Sequence, residues 1–182
     1  MSDQENFDRL REGIEEGFDA IFRAHYAALV GFADSILKDR PAAEDVAQEV
    51  MLELWRRRSN VVLETSLKAY LLQATRNRAL NRIRHRKVVT RADPLAVSPA
   101  PAPHADRLVL EEEMDLVVRR AVRELPDRCR EVFELSRVHG LKYAEIARTL
   151  EISIKTVEAQ MGRALRTIRE KLVPWLPEEG GF

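Results

Sequence analysis

The chain has 182 residues, 45% of them hydrophobic, 6% aromatic and 33% charged, with 30 basic side chains against 30 acidic ones. That balance suits a globular protein of one ordinary domain or two small ones, and a single cysteine, Cys129, excludes an internal disulfide. No apolar run approaches the roughly 20 residues that cross a bilayer, and residues 1–6 lack both the basic and the apolar stretch of a secretion signal; a cytoplasmic protein without membrane insertion is expected.

The zero net charge conceals a division along the chain. Residues 1–54 carry five basic and thirteen acidic side chains, a net charge of −8, whereas residues 55–91 carry eleven basic and one acidic, a net charge of +10. Ten uncompensated like charges repel one another, so the natural partner of this segment is a polyanion. A solvated helical face is the plainer alternative.

In chain order, Phe18, Ile21, Phe22, His25, Leu29, Phe32, Ala33, Ile36 and Leu37 trace the apolar stripe of a first helix, with His25 expected as a satisfied core histidine. Pro41 suits the first turn of a second helix ending near Arg58. Its residues Ala43, Val46, Ala47, Val50 and Leu54 face inward. Asp45, Gln48, Glu49, Leu52, Glu53 and Arg56 face outward, giving an acidic, partly apolar surface that either binds a protein or is merely solvated. A third helix follows Thr65 or Ser66. On it Arg78, Arg82 and Arg86 recur every four residues as a basic ridge flanked by Arg76, Arg84, Lys87 and Arg91. Tyr70, Asn77 and Asn81 share a neighbouring face and add stacking and hydrogen-bonding groups, a combination suited to phosphates and bases.

Residues 92–106 carry Pro94, Pro99, Pro101 and Pro103 without helical periodicity and read as a semi-rigid linker that includes His104. Two helices, Leu108 to Leu125 and Asp127 to Val138, follow, and Gly140 is placed to end the second. Cys129 sits beside Val132 and Phe133, as structural filler. From Tyr143 to Gln160 the pattern is a helix-turn-helix: Ile146, Ala147 and Leu150 on one helix, Ile152 in the turn, and Val157, Met161, Leu165 and Ile168 as the buried stripe of the next. Ser153 can cap that second helix. Lys155, Thr156, Glu158, Ala159 and Gln160 occupy its exposed first turns, the part that enters a major groove when such a motif binds DNA, and Arg163, Arg166 and Arg169 follow. Two helices that simply pack a core are the alternative.

No strand pattern occurs, so the fold class is all-α: two small helical domains, 10–91 and 107–175, joined by the proline-rich linker 92–106. No glycine-rich phosphate loop and no nucleophile beside a base is present, and His25, His85, His104 and His139 lack metal spacing. A non-enzyme without cofactor or metal is expected.

The order of three parts, AEDVAQEVMLELWRRR, SLKAYLLQATRNRALNRIRHRK and LPDRCREVFELSRVHGLKYAEIARTLEISIKTVEAQMGRALRTIREKL, resembles an extracytoplasmic-function sigma factor of bacterial RNA polymerase from about Phe18 to Leu172. The resemblance implies sigma domain two and sigma domain four, which bind core RNA polymerase and read the −10 and −35 promoter elements, with catalysis left to the polymerase and often an anti-sigma factor as a further partner. By position it implies that Asp45, Gln48, Glu49, Leu52 and Trp55 meet the clamp helices of the large catalytic subunit. Near the −10 element it places Tyr70, where the family commonly has Trp, Asn77, which matches a frequent Asn, and Asn81, where Asp is common, together with Arg78, Arg82 and Arg86. Residues 60–65 correspond to the segment that captures a flipped base, with Val61, Val62 and Leu63 in it. At the −35 element it implies Lys155, Thr156, Glu158, Ala159, Gln160, Arg163 and Arg166, although Glu158, Ala159 and Gln160 replace a more basic triplet. There Glu158 can accept from cytosine N4 and Gln160 can pair with adenine N6 and N7, while Lys155 and Arg163 meet phosphates. Two other readings stand beside this one. EIARTLEISIKTVE also resembles the output domain of response-regulator-like transcription factors, and a helical adaptor binding a protein through residues 41–58 would need no DNA.

Overall fold

The computed structural model describes residues 2–92 and 111–175, and the chain divides into two compact units, residues 1–102 and 103–182. The described residues of the first unit form four helices: α1 (Asp3–Arg11), α2 (Glu15–Leu37), α3 (Arg40–Arg57) and α4 (Leu67–Ala92).

Helix α1 was not among the expected elements, but its signal is a capping box. The Ser2 hydroxyl accepts from the Glu5 N–H at 3.3 Å and the Glu5 carboxylate accepts from the Ser2 N–H at 2.6 Å. The backbone bond from Ser2 is the main reason the Glu5 carboxyl pKa is lowered. Phe7 and Leu10 of α1 are buried, and Gly13, at φ +82°, turns the chain into α2.

Helix α2 is the centre of this unit and packs against α1, α3 and α4. Ile21, Leu29, Val30, Phe32, Ala33 and Leu37 are buried along it. By length and mean hydropathy α2 is long and apolar enough to cross a membrane, which corrects the expectation that no run approaches that length: Asp19, Arg23 and Asp34 interrupt the apolar sequence without lowering its average enough. Its apolar side chains are turned onto three neighbouring helices. His25 is buried as expected, yet its Nε2, 3.0 Å from Asp3 Oδ2, does not meet hydrogen-bond geometry, so burial is borne out and satisfaction is not.

Lys38, left-handed at φ 54°, ends α2. Asp39 then caps α3 by accepting from the Ala42 N–H at 3.1 Å, with Pro41 in the first turn. The Ser66 hydroxyl accepts from the Ala69 N–H at the start of α4.

In the second unit α5 (Glu111–Arg123), α6 (Asp127–Arg137) and α7 (Tyr143–Leu150) pack on α8 (Ile154–Leu172), which leads into a short 3-10 turn, Val173–Trp175. Gly140, at φ +69°, lies between α6 and α7. The turn of the helix-turn-helix is closed by Glu151 in the left-handed region at φ 56°, with the Ile152 N–H donating to Ala147 O at 2.9 Å. The expected linker beyond Ala92 and the start of the helix expected from Leu108 lie outside the described residues. The buried stripe of α8 is Val157, Met161, Ala164 and Ile168; Leu165, expected in it, is 43% exposed. Spacings of four, three and four follow the 3.6-residue turn, and two successive steps of four had carried the expected stripe past the core.

Gly17 marks a close approach of α2 to α1. A Cβ built there would lie 2.7 Å from Asn6 O and 2.8 Å from Leu10 N, both backbone atoms of α1. Gly17→Ala must push α1 away from α2, and we expect it to destabilise the protein by about 1–3 kcal/mol, measured as a lower urea midpoint at unchanged slope.

Candidate functional site

The outer face of α3 is arranged as its periodicity predicts. Asp45, Gln48 and Glu49 are exposed, and Leu52 is 46% exposed, the largest apolar side chain on that face left to solvent. Trp55 is half-buried: its ring meets Phe18 edge-on at 5.4 Å, and the Arg58 guanidinium lies 4.4 Å from the ring centroid. Besides the Trp55–Phe18 contact, one hydrogen bond carries this face onto α2. Gln48 Nε2 donates to the Tyr26 hydroxyl at 3.5 Å, and Tyr26 stacks on Phe22 at 4.5 Å. Phe18 and Phe22, expected in the core stripe, are half-buried, and Tyr26, outside that expectation, joins them. The signal was there in the spacing of four from Phe18 to Phe22 to Tyr26.

Helix α4 brings its basic ridge against the acidic row of α3. Arg82 Nη2 is 2.6 Å from Glu49 Oε1, and its Nη1 is 3.2 Å from Asp45 Oδ2 and 3.3 Å from Ala42 O. Arg86 Nη2 is 2.7 Å from Asp39 Oδ2, and Arg78 Nε is 3.8 Å from Glu49 Oε2. The ridge is therefore not uncompensated, contrary to the charge count along residues 55–91; the partners lie 29 to 47 residues away in sequence and are brought close by helix packing. Partial burial works against the charge of Arg82, but the bonds from Glu49 and Asp45 outweigh it and raise the guanidinium pKa. The Ala42 N–H, and after it Arg86, holds the Asp39 carboxyl below its ordinary range.

Of the flanking residues, Arg76 is buried rather than on the ridge, and Arg84 Nη1 donates to Asn81 Oδ1 at 3.1 Å. The side chains of Lys87 and Arg91 lie outside those described. Asn77 and Asn81 are exposed and Tyr70 is half-buried. In the loop between α3 and α4, Val61 is buried, Leu63 is half-buried and Val62 is 80% exposed, so one apolar side chain anchors the loop while its neighbour projects.

At the second unit's surface Ser153 accepts from the Thr156 N–H at 3.0 Å, the cap read from the sequence. Lys155, Glu158, Ala159, Arg163 and Arg166 are exposed and Thr156 is half-buried. Gln160 differs from expectation. The buried Cys129 thiol donates to Gln160 Oε1 at 2.9 Å, so the oxygen needed for a paired contact with adenine N6 is already engaged. Cys129 also packs with Ala121, Leu125, Ala164 and Ile168; it fills the core, as expected, and in addition fixes a side chain of α8. Burial pushes its pKa up, partly countered by Arg163, which keeps the thiol protonated. Among the described residues no group of three His, Cys, Asp or Glu is arranged to hold a metal ion.

Comparison with known proteins follows this division. Residues 21–88 match the family Sigma-70 region 2, and residues 115–168 match Sigma-70, region 4. The chain is 30% identical over 166 residues to the ECF RNA polymerase sigma factor SigK of Mycobacterium tuberculosis, covering 88% of each chain. It is 26% identical to the RNA polymerase sigma-H factor of Pseudomonas aeruginosa, covering 97% of this chain and 96% of that one. It is also 30% identical to the probable RNA polymerase sigma factor RfaY of Xanthomonas campestris, over 88% of this chain but only 42% of that longer protein. Among solved structures, the sigma factor RpoE in complex with the anti-sigma factor NepR from Bartonella quintana has a TM-score of 0.70 at 23% identity, covering 85% of this chain and 96% of that one. CnrH in complex with the cytosolic domain of CnrY has a TM-score of 0.66 at 21% identity, covering 93% and 96%.

Asp39 joins the start of α3 to the ridge of α4, and its lowered carboxyl pKa gives the sign of a pH effect. A group more acidic in the folded state stabilises above its ordinary titration range and loses that contribution as the pH falls through the folded value. Asp39→Ala should cost about 1 kcal/mol at neutral pH, the value of a helix cap. Urea unfolding repeated between pH 7 and pH 3 should find the gap to the unsubstituted protein narrowing as the pH drops.

Proposed function

From the premise that this chain belongs to the extracytoplasmic-function sigma factors of bacterial RNA polymerase, proteins that bind the core enzyme and direct transcription initiation, we propose which surfaces do each part of the work. Residues 10–91 act as domain two, 92–106 as the tether and 107–175 as domain four. The observation that carries the reading is the exposed start of α8, capped by Ser153 and backed by α5, α6 and α7, on the same chain as a paired basic ridge.

Domain two meets the polymerase through Asp45, Gln48, Glu49, Leu52 and Trp55. An exposed leucine and a half-buried tryptophan ringed by charge are the anchors that interfaces use, and Phe22 and Tyr26 extend that patch onto α2. The ridge Arg78, Arg82 and Arg86 serves phosphates near the −10 element, with Tyr70, Asn77, Asn81 and the 60–65 loop beside the bases. Arginine has five N–H donors, so a guanidinium bonded to a carboxylate retains donors for a phosphate. The carboxylates hold the ridge in position and lessen its attraction for DNA in the free protein, so promoter binding depends on the polymerase holding both domains at the right spacing. In domain four, Lys155, Thr156, Glu158, Ala159, Arg163 and Arg166 lie against the −35 element. Catalysis rests with the polymerase, the working compartment is the cytoplasm, and an anti-sigma factor is a further partner, as RpoE has one in its solved complex.

Leu52→Asp places a charge at the centre of the proposed polymerase contact without touching the core. Pull-down of core polymerase should weaken at least tenfold, about 1.4 kcal/mol, at unchanged helical circular dichroism; undiminished capture would remove α3 from the interface. Glu158→Arg should change the preferred base at one −35 position by roughly 1–3 kcal/mol, read from transcription of a randomised −35 library. A uniform rise in output with no change of base would make Glu158 a solvated charge.

A further inference from the structure

Behind the exposed start of α8 an open cleft of about 370 Å³ is lined by Arg128, Cys129, Gln160, Arg163, Arg166 and Thr167. Its chemistry is one-sided. Three guanidiniums can only donate hydrogen bonds, the Thr167 hydroxyl can donate or accept, and the other oxygen acceptor among these side chains is the Gln160 carboxamide. That oxygen is taken by the Cys129 thiol, itself 3% exposed, at 2.9 Å. The opposite orientation would set the carboxamide NH2 against sulfur, a weak acceptor, and leave the thiol proton without its oxygen. With the oxygen turned to the thiol, Gln160 presents its NH2 donors to the cleft. Nearby negative charge is limited: Glu131 is nearly buried and 3.3 Å from Arg128 Nη1, and Asp127 pairs with Arg130.

A surface of donors with excess positive charge fits a group that only accepts. A guanine edge also offers only acceptors in the major groove, but it is uncharged, whereas a phosphodiester offers acceptor oxygens together with a negative charge that matches the excess of guanidiniums. We propose that this cleft seats one backbone phosphate of the promoter duplex beside the −35 element, with the Cys129 thiol fixing Gln160 as an N–H donor to it. Arg128, on α6, thereby joins the DNA interface, and Gln160 positions the helix on the duplex instead of reading adenine. The inference rests on the placement of α8 at the −35 element proposed above.

The test uses holoenzyme reconstituted with the full chain and promoter fragments carrying a single neutral methylphosphonate at successive positions around the −35 element. One position should weaken binding by the unsubstituted protein and have a clearly smaller effect once Arg128 is replaced by Ala. Arg128→Ala should weaken all −35 sequences alike and make the log–log salt dependence less steep by about one. Gln160→Glu, isosteric but negatively charged, should weaken binding at the same phosphate. Cys129→Ala should weaken binding by a smaller factor and Cys129→Ser, which keeps a donor, should restore it; a thiol that merely fills space would lower the melting temperature with no such rescue. The cleft assignment is overturned if no methylphosphonate position depends on Arg128, or if Gln160→Ala changes the preferred base in a randomised −35 library. Inorganic phosphate titrated into the free protein supplies the remaining arm: a raised melting temperature without a sensitive backbone position would assign the cleft to a free anion and overturn the DNA seat. Loss of −35 dependence in the unsubstituted holoenzyme would remove the promoter reading and the cleft together, whereas intact dependence without a sensitive phosphate removes the cleft alone.

Discussion

The burial of α2 is the constraint on which the first unit depends. Its large apolar side chains are covered by α1, α3 and α4, and each fully buried Leu, Ile or Phe contributes roughly 1.5–3 kcal/mol relative to exposure. Once α3 and α4 are laid on α2 by their apolar stripes, no freedom remains in where their outer rows point. The acidic row of α3 and the basic row of α4 then meet. Gly17 serves the same end from the other side, because α1 can cover α2 only where the two backbones approach without a Cβ between them.

The ion pairs that result are better understood as positioning than as stabilisation. Arg82 is 29% exposed and its carboxylate partners are more than half exposed, the regime in which a pair contributes about 0.2–1 kcal/mol and is screened by salt. What the pairs do is hold three long side chains of α4 in one row and hold Asp45 and Glu49 against α4. Two residues of the candidate polymerase face and three of the candidate −10 face thus share one electrostatic network. A partner that engages either row alters the charge felt at the other.

The second unit follows a different logic. One cluster of its core sets Ala121, Ala164 and Cys129 beside Leu125 and Ile168, so small side chains meet there and polar groups at the margin come within reach of the core. Cys129 is such a group. A side chain that packs like a small hydrophobe also carries a donor, and the donor decides which way Gln160 faces. Glu151 occupies the left-handed position in the turn that glycine would take most easily, and the exposed beginning of α8 is secured by the Ser153 cap.

The sequence by itself determined the all-helical class, helices near the observed α2 to α8, the Ser153 cap and the inward and outward faces of α3. Those features rest on local chemistry: 3.6-residue periodicity, caps, and glycine and proline at helix ends. It also determined the family, because three motifs stand in a fixed order. Helix α1 was legible too, through Ser2 and Glu5, but its apolar content is too slight to announce a helix without its packing on α2. What only the tertiary structure decided are the relations between residues distant along the chain: the pairing of Arg82 with Asp45 and Glu49, the burial of Arg76, the extension of the α3 face onto Tyr26 and the hold of Cys129 on Gln160. Periodicity states which face of a helix is apolar. It does not state which charged or polar row of another helix will lie opposite, because that depends on how ridges and small residues let the two helices cross.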